Sequence, residues 1–181
     1  MADLILFNKP YGVNSQFSGT PKNETLSEYI NLPGFYPAGR LDKKSEGLLL
    51  LTNNGILQHR LTQPGKKKYK YYWVLVEGCP EESDLRSIHE GLRLQDFQCL
   101  PAKARLITAP EIWPRIPPVR FRKLIKDTWL EIAIEEGKNH QIRRMTAAIG
   151  FPTLRLIRHR IDRFSLNNLQ PGQWRKITVK A

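Results

Sequence analysis

Cysteine is scarce. Cys79 and Cys99 are the only two in 181 residues, with no CxxC and no Cys/His cluster around them. That spacing excludes a disulfide framework and argues against a structural zinc site, so no metal is expected. Long apolar runs are missing too, and none approaches the roughly 20 residues needed to cross a bilayer. The start, Met1 to Phe7, has neither a basic stretch nor a small-residue cleavage site, so it does not read as a signal peptide and the cytoplasm is the expected compartment. There is no internal repeat, and no Pro/Gly/Ser-rich linker that would cut the chain. The four histidines, His59, His89, His140 and His159, are scattered. Acidic residues are the other shortage: 17 Asp and Glu face 29 Lys and Arg, for a net charge of +12.

The excess is uneven. Residues 1–60 carry six Lys/Arg against five Asp/Glu, whereas residues 61–181 carry 23 against 12. These cations are interleaved with Trp, Ile, Leu and Val, so they decorate a folded surface rather than a tail, and nucleic acid is the leading partner. A membrane surface or an acidic protein is the lesser candidate, because no basic amphipathic helix stands out.

Taken in order, Leu4 to Phe7 reads as a strand closed by the turn Asn8-Lys9-Pro10-Tyr11-Gly12. Residues 13–24 read as a mobile loop. Thr25 and Glu28 have capping-box spacing, which predicts a short helix over Thr25–Ile30. Leu48 to Leu51 reads as a buried strand, Ile56–Leu61 as a short helix, and Tyr69 to Val76 as a strand of strong β-formers. Leu85, Ile88 and Leu92 have helical spacing. Residues 93–110 read as two short strands broken near Pro101, and Pro110 to Pro118 as a stiff loop. Trp129–Glu135 is a strand, His140 to Ile149 a helix capped by Asn139, and Leu154–Ile161 and Trp174–Val179 are strands. The expected architecture is α+β: a mixed, largely antiparallel sheet flanked by helices and loops, forming a single domain over 1–181 with room for two lobes.

Three stretches hold side chains suited to chemistry. In Pro37-Ala38-Gly39-Arg40-Leu41-Asp42-Lys43-Lys44-Ser45-Glu46-Gly47, one carboxylate, Asp42, sits among cations just ahead of an apolar strand. A loop fixed to a core strand is a common place for a catalytic group. The plainer reading makes Asp42 and Glu46 surface carboxylates paired with Arg40, Lys43 or Lys44. The second stretch is Lys70-x-Tyr72-x-Val74, where alternation sets Tyr72 and Val74 on one face and Tyr71 and Trp73 on the other. The third is Glu136-Gly137-Lys138-Asn139-His140-Gln141-Ile142-Arg143-Arg144-Met145, with Arg143 and Arg144 off the buried stripe.

In that order the stretches resemble the signature motifs of the pseudouridine synthases, and the long form of the first, Gly39 to Thr52, resembles the RsuA/RluB/RluE/RluF branch that acts on ribosomal RNA. A further family position, an apolar residue near an Arg on a following strand, matches Leu156 and Arg158. The family usually has Ile/Met-Gly soon after, whereas this chain has Ile161-Asp162, which alters the local turn. The Asn8 to Gly12 turn matches one that in the family supports the active-site loop.

The resemblance implies isomerisation of uridine to pseudouridine without metal or redox cofactor. It makes Asp42 the catalytic residue, as nucleophile or as base. Arg143 is implied as its partner, and Tyr72 as the residue that stacks on uracil. The target base must leave its stack at a cost of a few kcal/mol, and Arg40 could fill the gap. Lys66, Lys67, Lys68, Lys70, Arg120, Arg122, Lys123, Arg155, Arg158 and Arg160 supply a basic surface for RNA backbone. Many members of the branch carry an N-terminal S4 module, which is not expected here. That arrangement resembles a large-subunit member of the branch and implies 23S rRNA, or an assembly intermediate containing it, as the partner of a monomer. Two other readings fit the same basic chain: a non-catalytic RNA-binding or ribosome assembly factor, and a synthase acting on transfer RNA. Asp42, Tyr72 and Arg143 together favour an enzyme over a pure binder, and the branch resemblance favours ribosomal over transfer RNA.

Overall fold

The computed structural model describes residues 1–65, 67–120 and 122–181. In chain order the elements are β1 (Ala2–Lys9), β2 (Tyr36–Pro37), β3 (Glu46–Thr52), α1 (Gly55–Thr62), β4 (Lys70–Glu77), α2 (Arg86–Glu90), β5 (Lys103–Ile107), β6 (Asp127–Ile134), α3 (Gln141–Ala148), β7 (Thr153–Ile161), β8 (Phe164–Ser165) and β9 (Trp174–Val179). This is the expected α+β class. The chain divides into two compact units, one of Met1–Gln63 with Arg163–Ala181, the other of Pro64–Asp162. No helix among the described residues is long and apolar enough to cross a membrane.

In the first unit β1 lies between β3 and β9, antiparallel to both. The register sets Ile5 opposite Leu51 and Phe7 opposite Leu49, and these four join Val13, Leu26, Ile30, Phe35 and Leu41 in one core. Leu4, Leu6, Leu48 and Leu50, on the opposite side of the same strands, are buried as well. Burial on both faces is why these strands read as continuous apolar runs instead of alternating ones. Each such side chain contributes about 1.5–3 kcal/mol on leaving water.

The second unit is a four-stranded antiparallel sheet in the order β5-β6-β4-β7. Tyr72, Val74 and Val76 of β4 and Leu130, Ile132 and Ile134 of β6 share one face, packed by Leu85 and Ile88 and by Ile142 and Met145 of α3. Burial alternates over Tyr71–Val74, and gives way at Leu75 and Ala133, which are buried on the opposite face.

Four local expectations need correction. Leu26–Glu28 is a single 3-10 turn, and Thr25 does not cap it: its hydroxyl donates to the Lys22 carbonyl at 2.7 Å and bonds Ser27 Oγ at 2.6 Å. Over 93–110 there is one strand, β5, preceded by a lone bridge between Arg93 and Gln98. Leu92 lies beyond α2, because Gly91 at φ +99° ends that helix. Finally, α3 begins after His140, which adopts φ +50°, so Asn139 is not its cap.

Candidate active site

The Asp42 loop is built entirely within the first unit. Tyr36 and Pro37 pair with Thr52 and Leu51, and Ala38 donates its N–H to the Leu50 carbonyl at 2.7 Å. The chain then turns at Gly39, whose φ of +89° is one that residues with a Cβ rarely adopt. Leu41 drops into the core, Asp42 is half-buried, and the Ser45 N–H closes a turn onto the Asp42 carbonyl at 2.9 Å. Glu46 is 1 % exposed, so it is a buried residue at the head of β3 rather than the surface carboxylate of the plainer reading. Lys43 pairs with Glu24 at 2.5 Å.

Residues 9–15 hold this loop from behind. The Ser15 hydroxyl donates to the Leu41 carbonyl at 2.6 Å and accepts from the Leu41 N–H at 3.0 Å. The Gly12 N–H donates to the Lys43 carbonyl at 2.8 Å. Lys9 is completely buried, and its Nζ reaches the carbonyls of Val13 at 2.6 Å, Pro10 at 3.0 Å and Lys43 at 3.4 Å. A buried amine is costly unless hydrogen-bonded, so these carbonyls fix both the lysine and the turn. Both peptide groups flanking Asp42 are thus tied down, and the carboxylate is carried on a rigid loop.

The segment expected as a mobile loop is therefore part of the support. It is tied at both ends, by Asn14 N–H to the Glu24 carbonyl and by Leu26 N–H to the Gln16 carbonyl, each at 2.8 Å. Sequence reasoning missed Ser15, for which no pattern existed. The signal for Lys9 was a lysine closing an apolar strand before Pro10.

The other motif residues belong to the second unit. Tyr72 is 7 % exposed and faces the core side of β4, and its neighbour in register on β7 is Arg158, 4 % exposed. Arg155 is 7 % exposed and donates to the Trp113 carbonyl at 2.9 Å. These two arginines were expected on an open basic surface. They sit inside the fold instead, because β7 pairs along β4 rather than forming an exposed rim. Lys70 places Nζ 3.5 Å from the Glu136 carbonyl; burial, and next the charge of Arg158, hold its pKa below the usual lysine value.

The third motif braces itself. Gln141 donates to Glu136 Oε1 at 2.8 Å and accepts from the Lys138 N–H at 3.0 Å, while Glu136 also accepts from the Leu100 N–H at 2.8 Å. The two arginines of α3 differ in situation. Arg144 pairs with Asp96 and lies over the Phe97 ring, 5.3 Å from its centroid. Arg143 is half-buried. Arg40, Lys67, Arg120 and Arg122 are exposed and Lys68 is half-buried, with Arg122 3.6 Å from Glu77; Lys66 lies outside the described residues. Among the described residues no group of three or more His, Cys, Asp or Glu could hold a metal ion.

The family model described as RNA pseudouridylate synthase matches residues 3–148, a span that contains Asp42, Tyr72 and Arg143. This chain is a member of the RNA pseudouridylate synthase family. Relatives extend over nearly all of it. The ribosomal large subunit pseudouridine synthase E of Xanthomonas campestris pv. campestris is 57 % identical, over 98 % of this chain and 97 % of that one. The protein of the same name from Vibrio parahaemolyticus is 55 % identical, over 97 % and 74 %. A crystal structure of a pseudouridylate synthase superposes with a TM-score of 0.80 at 28 % identity, covering 98 % of this chain and 71 % of that one. This pseudouridine synthase is an isomerase, and the expected fold is the one it has.

Proposed function

We propose that this pseudouridine synthase modifies ribosomal RNA, namely a uridine of 23S rRNA or of an assembly intermediate that contains it. The observation that supports this most is the 57 % identity to a relative named for the large ribosomal subunit, with almost complete coverage of both chains.

Asp42 is the catalytic carboxylate in this reading. The bond from C1′ of the ribose to N1 of uracil breaks, the base turns, and a bond from C1′ to C5 forms. The proton on C5 is lost and N1 gains one, so substrate and product are isomers, with no water or electrons consumed. A carboxylate can drive this as nucleophile or as base removing a ribose proton. Either role needs a group held in place before the base arrives, and the tethers through Lys9, Gly12 and Ser15 support that. Tyr72 stacks on the uracil, Arg143 is the basic residue of the reaction, and Arg40 fills the gap left by the extruded base. Lys67, Lys68, Lys70, Arg120 and Arg122 hold RNA phosphates, and Arg158 acts beside Tyr72. Residues 1–181 make a single catalytic domain, in a monomer of the cytoplasm.

The test is chemical mapping of pseudouridine in ribosomal RNA treated with wild type or with Asp42→Ala, with RNA affinity measured in parallel. The expected result is one modified uridine with wild type and none with the variant, which still binds. Full activity in Asp42→Ala would remove Asp42 from the reaction, and modification of transfer RNA alone would overturn the proposed substrate.

A further inference from the structure

The side of the second unit's sheet that faces away from its helices holds a patch that the reaction leaves unused. Tyr71 and Trp73 point there from β4, opposite in sense to Tyr72 and Val74. His159 of β7 stacks on Trp73, with ring centres 4.2 Å apart and planes at 13°. Tyr71 lies 6.1 Å from His159 and 6.1 Å from Tyr69, so four rings form a continuous row. All four are partly exposed. Towards the other end of the strand, Leu75 is 5 % exposed, and its register neighbour Arg155 anchors the 110–118 loop through Trp113. The apolar end of this face is therefore closed, and the aromatic end is open.

Cations fringe the row. Lys103 Nζ lies 4.3 Å from the centre of the Tyr69 ring, and the Arg160 guanidinium 4.7 Å from that of Tyr71. Arg105 is on the neighbouring strand. Two acids lie beside the row, and both are engaged: Glu131 accepts from Arg105 at 2.9 Å and from His159 at 3.0 Å, and Glu135 accepts from the Tyr69 hydroxyl. Arg160 gives its Nε–H to the Asp162 carbonyl at 2.5 Å, and its two terminal nitrogens, with the Lys103 ammonium, are placed to meet an anion that reaches the rings.

A four-stranded antiparallel sheet, packed by helices on one side and carrying partly exposed rings and cations on the other, is a means of stacking unpaired bases. Aromatic and guanidinium planes take the bases while neighbouring cations meet the phosphates. We propose that the Tyr69-Tyr71-Trp73-His159 row binds two or three unpaired nucleotides of the RNA substrate, outside the uridine that reacts. The inference rests on the reading that the substrate is RNA, and RNA fits the face because it supplies flat bases and negative charge together.

The probe is a twelve-nucleotide oligoadenylate, which stacks but contains no uridine to be converted. Binding is followed by tryptophan fluorescence and by filter retention, for wild type, Tyr71→Ala, Tyr71→Phe, Lys103→Glu and Arg160→Glu. Loss of one stacked base weakens binding roughly 5- to 150-fold. Tyr71→Ala should fall in that range and Tyr71→Phe should bind like wild type. The two charge reversals should weaken binding severalfold and, being at exposed positions, test the proposal even if Tyr71→Ala folds poorly. Pseudouridine formation by wild type is scored in the same preparation. Wild-type activity, with every variant binding within twofold of wild type, overturns the stacking row and leaves the enzyme reading intact. A wild type that neither binds RNA nor makes pseudouridine overturns both.

Discussion

Replacing Ser15 with alanine removes one oxygen that holds both backbone polar groups of Leu41, the residue before Asp42. Ser15 and Leu41 are each 6 % exposed, so water does not readily replace the hydroxyl. A buried donor or acceptor left unmet costs about 1–3 kcal/mol. For two of them on a loop able to shift a little, the expected penalty is roughly 2–4 kcal/mol. In a chain of this size each kcal/mol moves the melting point by about 2–4 °C, so Ser15→Ala should melt roughly 4–16 °C below wild type. The shift that relieves the penalty also moves Asp42, and a displacement of about 1 Å at a reacting group can cost on the order of 100-fold in rate. Single-turnover pseudouridine formation on saturating RNA should therefore slow by one to two orders of magnitude, while RNA affinity holds because Ser15 is buried. Ser15→Thr keeps the hydroxyl and should recover most of the rate. Should Ser15→Ala match wild type in both melting point and single-turnover rate, the claim that residues 9–15 fix the catalytic loop would be wrong.

Two further outcomes follow from the second unit. A Cβ at Gly91 would lie 2.9 Å from the Cys99 carbonyl oxygen, at φ +99°, so Gly91→Ala should destabilise by roughly 1–3 kcal/mol in urea titration, with little change in the rate at Asp42. Burial holds the His159 pKa below its usual value, against the opposing pull of Glu131. The folded state therefore binds fewer protons than the unfolded chain between the lowered pKa and about 6.5, and stability rises with pH across that window. Acidification from pH 7.5 to 5 should lower the melting point, and His159→Phe, which keeps a ring on Trp73, should flatten that part of the profile.

The strands were the most legible part of the sequence. Tyr69–Val76 is dense in aromatic and β-branched residues that favour a pleated, half-buried surface, and Leu48–Leu51 is a short apolar run bounded by turn residues, as a strand buried on both faces is. Failures gathered where a polar side chain had a choice of partners. Thr25 had capping spacing but bonds Lys22 and Ser27, and the start of α3 is set by Gln141 folding back onto Lys138 and Glu136 rather than by Asn139. Arg155 and Arg158 looked like surface cations because charge alone does not reveal that a strand is interior. For the site, the carriers of chemistry stood out by motif, whereas the supports did not. Ser15 meets Leu41 across 26 residues, a contact that only the folded chain creates.

Lys9 sets the Asp42 loop apart from the cations that face solvent. Counterions compete with exposed lysines and arginines for phosphate, so added salt releases RNA from the surface. They do not reach an amine enclosed among the carbonyls of Pro10, Val13 and Lys43, where screening is weak. Ionic strength can therefore empty this protein of its substrate while its loop stays assembled, and a preparation stored in high salt should regain full activity on dilution without any refolding step.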